Sequence, residues 1–222
     1  SRALNQGADA IIYEWNSGGG SVVASKEIKR EIESIEVPTV CRFRDLAASG
    51  AYLASLGCDK IIADSASITG SIGVRSSYLE YSGLLEKLGV EYVNITSGEL
   101  KEVGSPYQNA TEEEIDLLQD KADMIHQEFL DQVSNERNLT DNQTEQIETG
   151  EIFLGSEAKE ISLVDSLGGR ETAIEAAENM TERSLNLFEV ERRSSISLFQ
   201  LLGFGSFFSS DSQSPIKAEV KY

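Results

Sequence analysis

The sequence predicts an α/β domain built round a mainly parallel sheet, and three observations predict it. Short apolar runs read as buried strands, segments with helical periodicity fall between them, and Gly or Pro punctuates the joins. Strands that alternate with helices imply βαβ units, whose successive strands lie parallel in one sheet. The chain of 222 residues is long enough to bury a real core as one domain, with or without an appendage.

Residues 1–9 read as the end of a helix entering a strand. Ala10 to Trp15 (Ala-Ile-Ile-Tyr-Glu-Trp) is the first apolar run. A Gly-rich turn follows, after which Ile28, Ile32 and Ile35 recur at helical spacing until Pro38 closes the helix. A second strand runs from Thr39 to Phe43. Ser49 opens a helix that ends near Gly57, Lys60 to Ala63 is a third strand, and Glu91 to Thr96 a fourth. The longest helix is expected over Glu112 to Arg137. Thr111 and Glu114 form a capping box there, and Ile115, Leu118, Ala122, Ile125, Phe129 and Val133 make one apolar stripe. From Ser194 the character changes: 196–208 is apolar but interrupted and too short to span a bilayer, and 209–215 reads as disordered. Residues 1–193 are therefore expected to form the domain, and 194–222 an apolar then polar tail outside its core.

The formal net charge of −19 argues against nucleic acid as a partner, because phosphate contact needs clustered Lys and Arg. It also argues against adsorption to anionic headgroups. Cys41 and Cys58 are too few for a disulfide framework and read as buried free thiols. Metal ligation lacks a second histidine or paired cysteines, so neither metal nor cofactor is expected. Asn-x-Thr triplets at Asn94, Asn109, Asn138, Asn142 and Asn179 read either as glycosylation acceptors of an exported protein or as turn and cap residues.

The chemistry centres on Ser49, in Ala47-Ala48-Ser49-Gly50-Ala51-Tyr52, and Lys101, in Ser97-Gly98-Glu99-Leu100-Lys101. A serine hydroxyl needs a base before it becomes a nucleophile. The one histidine, His126, sits in the long helix and reads as a solvated helical residue. A desolvated lysine can serve instead, which points to a Ser-Lys dyad hydrolase. Ser49 at a helix start has unpaired backbone amides beside it, so the Gly50 N–H is one candidate oxyanion donor. The Gly18-Gly19-Gly20 turn is expected to supply the second. Taken singly, each of these short features is as well explained by packing, a turn or a surface charge.

Together they resemble signal peptide peptidases of the SppA type, serine proteases on the fold shared by Clp protease subunits and crotonases. The resemblance rests on Asn16 to Gly20, Ala48 to Tyr52, Thr69-Gly70-Ser71-Ile72-Gly73-Val74, Ser97 to Lys101 with Gly104-Ser105-Pro106, and the closing stretch from Gly150 to Gly168. Gly18 stands where the family usually has proline. The resemblance implies an SppA-like peptidase domain over 1–193, with repeated ββα units, and the Gly20 amide as second oxyanion donor. Ser71 is either the residue that orients the lysine amine or a turn residue. Hydrophobic peptides such as remnant signal peptides are the implied substrates. Implied too are a homo-oligomer whose subunits share sites, an N-terminal membrane anchor and first strand preceding Ser1, and a catalytic domain on the extracytoplasmic side. The alternatives are a crotonase-like acyl-CoA enzyme and a non-catalytic oligomeric scaffold on the same fold.

Overall fold

Ala10–Ser17 forms β1, and its Ala-Ile-Ile run is buried throughout because both faces of the strand are covered. The computed structural model describes residues 2–190 and the backbone of 217–221. These residues fall into two compact units: Ser1–Ile72 with Gln132–Tyr222, and Gly73–Asp131.

The first unit is an eight-stranded sheet organised round β2, Thr39–Ala48. It lies parallel to β1, from Ile11↔Thr39 to Ser17↔Ala47, with a register shift between Trp15 and Ser17. The other side of β2 forks. Its first half pairs in parallel with β3, Lys60–Ala63, and its last three residues pair in parallel with β4, Ile68–Gly70. Antiparallel strands close the edges: β5, Ile152–Leu154, on β4, and β7, Leu187–Val190, on β8, Lys217–Lys221, which itself pairs with β1. A short β6, Ser166–Leu167, extends β3 in parallel. The α/β class and the mainly parallel sheet expected from the alternating pattern are therefore present.

Helices cover the sheet. On one face Ala10, Ile12, Val40 and Ile62 meet Ala173 and Ala177 of α8, Arg170–Thr181. On the other, Ile11 packs with Ala3 of α1, Arg2–Asn5, and with Ala8. Each isoleucine or valine side chain buried this fully contributes about 1.5–3 kcal/mol, and the alanines less. α2, Val22–Glu33, and α3, Gly50–Ser55, lie between successive parallel strands. All six residues of α3 are buried. α5 spans Glu112–Arg137, the limits its capping box predicts: the Thr111 N–H donates to Glu114 Oε2 and the Glu114 N–H to Thr111 Oγ1. Of its stripe, Phe129 and Val133 are buried while Ile115 is 53% exposed.

Three expectations are corrected. Cys41 and Cys58 are joined in a disulfide with Cα atoms 5.7 Å apart, not free thiols. Cys41 is the second residue of β2 to pair with β3, and Cys58 stands two residues before β3 begins, so parallel pairing brings them together. Residues 91–96 form no strand, and all six are exposed. The tail is not wholly outside the core, because 217–221 is the strand between β1 and β7. Its apolar part, 196–208, lies outside the described residues.

The second unit contains α4, Ser82–Lys87, and most of α5. Tyr107 packs near Tyr92 and Tyr81, with ring centroids 5.1 and 6.4 Å away. This unit exposes large apolar side chains: Leu79, Leu88, Val93 and Ile95 are all more than 60% exposed.

Candidate active site

Parallel α/β sheets bind ligands past the carboxyl ends of their strands, and here β1, β2 and β4 end side by side. Ser49 follows β2 and precedes α3, with φ 53° and ψ −124°. A non-glycine residue in that region is strained and persists only where its surroundings over-determine it. They do so: the Ser49 N–H donates to Gly70 O at 2.8 Å, and the Leu53 N–H donates to Ser49 O at 3.0 Å. The Ser49 side chain makes no capping bond to α3, so helix formation does not occupy its hydroxyl.

Ser71 follows β4 directly, and the register Ala48↔Gly70 puts it beside Ser49, each one residue past a strand end. It too has positive φ, 50°, and its N–H donates to Glu151 O at 2.7 Å.

Gly18, Gly19 and Gly20 follow β1 and run against the Ser49 turn. Gly19 has φ +109°, and a Cβ there would stand 2.7 Å from Gly50 N and 3.0 Å from both Ala48 O and Ser49 Cβ. Only glycine fits. A Cβ on Gly50 would collide with Ser25 Oγ of α2 and stand 3.0 Å from Gly20 N. The Gly19–Gly20 and Ser49–Gly50 backbones thus meet without side chains between them. Gly50, first residue of α3, has an N–H with no partner along the helix. Space beside Gly20 is open.

The far side of α3 is anchored. Tyr52 OH donates to Leu163 O at 2.8 Å, and burial pushes its phenol well above the usual range, leaving it a neutral donor. Two residues on, Asp165 Oδ2 accepts from the Ile61 N–H at 2.7 Å and from Arg137 at 3.1 Å. Burial alone would raise that carboxyl's pKa. The bonds from Arg137 and Ile61, with the charges of Arg137 and Lys60, outweigh it and hold the group below its ordinary value. Lys29 of α2 is held similarly: burial would lower its pKa, but Glu136 and Glu33 pair with it and raise it.

The structure therefore brings Ser49, Ser71, Gly20 and Gly50 together in the first unit. Lys101 belongs to the second, in a turn where its N–H donates to Gly98 O at 3.1 Å. It is exposed, as is Leu100 beside it, so the second unit does not supply the burial that base chemistry asks of a lysine. His126 lies on α5 as expected. Among the described residues no three His, Cys, Asp or Glu side chains group to hold a metal ion. Gly19 was legible only as part of a Gly-rich turn; its positive φ has no sequence signal beyond glycine itself.

A serine on a strained strand-to-helix turn, beside side-chain-free backbone at the carboxyl ends of β1, β2 and β4, has the elements of an acyl-transfer site. The chain belongs to peptidase family S49, whose sequence model matches residues 31–184. It is 38% identical over 176 residues to a Methanocaldococcus jannaschii protein provisionally named a protease, covering 78% of this chain and 57% of that one. It is 40% identical over 169 residues to an Enterococcus faecium protein provisionally named signal peptide peptidase SppA, covering 75% and 49%. Protease 4 of Haemophilus influenzae is 33% identical over 78% of this chain and 29% of its own length. The chain thus spans about half the length, or less, of these curated relatives. Among solved structures, a ClpP1 mutant from Listeria monocytogenes aligns at 15% identity and a TM-score of 0.48, covering 75% of this chain and 78% of that one.

Proposed function

We propose that this chain is the catalytic part of a serine endopeptidase with a Ser49–Lys101 dyad. Ser49 Oγ attacks a peptide carbonyl and the Lys101 amine takes its proton. The Gly20 and Gly50 amides stabilise the oxyanion, and the proton passes to the departing amine. Water then hydrolyses the acyl-enzyme by the same route. Ser71 orients the amine through its hydroxyl. The observation that carries the reading is the meeting of the Ser49 turn with the Gly18–Gly20 turn, which brings the Gly20 and Gly50 backbones together beside a serine hydroxyl that caps no helix.

The substrates on this reading are hydrophobic peptides in or near a membrane, remnant signal peptides among them, in keeping with the name of the Enterococcus relative. The working form is a homo-oligomer in which Lys101 of one copy serves Ser49 of another. The exposed apolar side chains of the second unit favour such burial against a further copy. Membrane attachment comes from an anchor preceding Ser1, with the catalytic domain outside the cytoplasm; among the described residues no helix is long and apolar enough to cross a membrane.

A fluorophosphonate probe tests the reading. Wild type should label at Ser49, and Ser49→Ala should neither label nor cleave. Mixed oligomers of inactive Ser49→Ala and inactive Lys101→Ala subunits should regain activity. Full activity in Lys101→Ala would sink the dyad, and verified mixed oligomers without recovery would put both residues in one subunit.

A further inference from the structure

The only two cysteines of the chain pair with each other across the segment that holds Ser49. Cys41 is in β2, Cys58 follows α3, and Ser49 stands at the turn between that strand and that helix. The bond therefore closes a loop around one structural unit: strand, strained turn, helix. Its interior is fully packed. Cys41 is completely buried, its Sγ accepts a hydrogen bond from Trp15 Nε1 at 2.9 Å, and Phe43 meets Tyr52 edge to face at 6.2 Å.

Hydrogen bonds hold the turn at its entry, which leaves its exit as the end that needs fixing. Ser49 has one backbone bond to β4 and one into α3, while α3 is a helix of six residues, too short to be stable alone. A six-residue helix whose first residue must present an amide, and whose preceding serine must keep φ near 53°, depends on what fixes its far end. Besides its close packing on α2 at Gly57, two specific links do so: the Tyr52 bond to Leu163 and the disulfide just past Leu56. Only the second is covalent, and it joins the helix exit to the strand that delivers Ser49.

We propose that the Cys41–Cys58 disulfide is a positioning element for Ser49, so that acylation depends on the bond being formed and the enzyme is competent only where thiols are oxidised. This rests on the Ser49 reading above. A dithiol reverses it: dithiothreitol supplies two electrons and two protons, its sulfurs close into a ring disulfide, and Cys41 and Cys58 return as thiols. Freed at its exit, α3 can tilt or fray, and the Gly50 amide and Ser49 hydroxyl leave alignment with Gly20.

The test compares wild-type protein with the double variant Cys41→Ala/Cys58→Ala, reading fluorophosphonate labelling rate, kcat and KM on an apolar peptide, and far-UV circular dichroism. The expected result is a labelling rate and kcat lowered about tenfold to a hundredfold, with KM and secondary structure unchanged. A purely structural bond would lower the folded fraction instead, leaving kcat per folded molecule as in wild type; that outcome overturns the proposal. Because the double variant can fail to fold, hydrogen exchange is also followed in wild type over a dithiothreitol series. Loss of protection at 50–56 ahead of β1 and β2 supports the proposal, and unchanged protection there in protein verified as reduced refutes it. Oxidised wild type that fails to label would count against the Ser49 reading, while the exchange result would still decide whether the bond holds the turn.

Discussion

The two units of the chain manage apolar surface in opposite ways. In the first, Ile11, Ile12, Ile61 and Ile62 lie in paired strands covered by helices and are all but inaccessible. In the second, Val93 and Ile95 are 73% and 92% exposed, in a segment whose composition reads as a strand. The same residue types are core in one place and surface in the other. The difference is one of available partners, since a strand is stabilised by its neighbours and not by its own propensity. The first unit completes itself within one chain; the second keeps an unpaired apolar surface, the condition under which a second copy becomes part of the fold.

Substitutions at four positions break or sharpen that contrast. The largest effect falls at the site that the self-contained unit builds: Ser49→Ala should lower kcat about ten-thousandfold or more with the melting temperature unchanged, measured on any cleaved peptide. Next comes the core itself. Ile62→Ala should destabilise the protein by about 2–5 kcal/mol in urea unfolding, because the rigid sheet cannot collapse into the space left. A smaller loss is expected from Asp165→Ala, about 1–3 kcal/mol, since the Ile61 amide loses its acceptor. The Asp165 carboxyl is held below its ordinary value. Its contribution is therefore present above the unfolded value and is lost as pH falls through the lower folded one. Urea midpoints in wild type should accordingly drop as pH falls through and below the ordinary aspartate range, and the drop should shrink in Asp165→Asn. Smallest of all, Ile95→Ser should change the unfolding free energy of the isolated chain by no more than about 0.5 kcal/mol. Sedimentation should nonetheless show weakened self-association; equal assembly would mean that this surface is not where copies meet.

What the sequence made legible follows the same division. β1, β2 and β3 were readable because continuous apolar runs signal strands buried on both faces. The limits of α5 were readable because its start is encoded locally in Thr111 and Glu114. Ser49, Gly50 and Ser71 were legible as short motifs, and the shared ends of β2 and β4 account for two of them being neighbours. β4, β5 and β6 were missed: two or three residues each, they are strands only because β2, β4 and β3 respectively lie beside them. The disulfide was missed for a related reason. A count of two cysteines carries no geometry, and their proximity follows from the β2–β3 register.

The placement of β8 sets an order of events for a chain leaving the ribosome. β7 pairs with β8 alone, and β8 is what joins it to β1, near the opposite end of the sequence. The sheet up to β1 can assemble as soon as its helices emerge, but Leu187–Val190 cannot take its place as a paired strand until 217–221 has been made. Contacts that span nearly the whole sequence are the slowest to form. Stalled or truncated synthesis should therefore yield a product with an intact β1–β2–β3 sheet and a loose strand at one edge, one that a protease cuts first near β7.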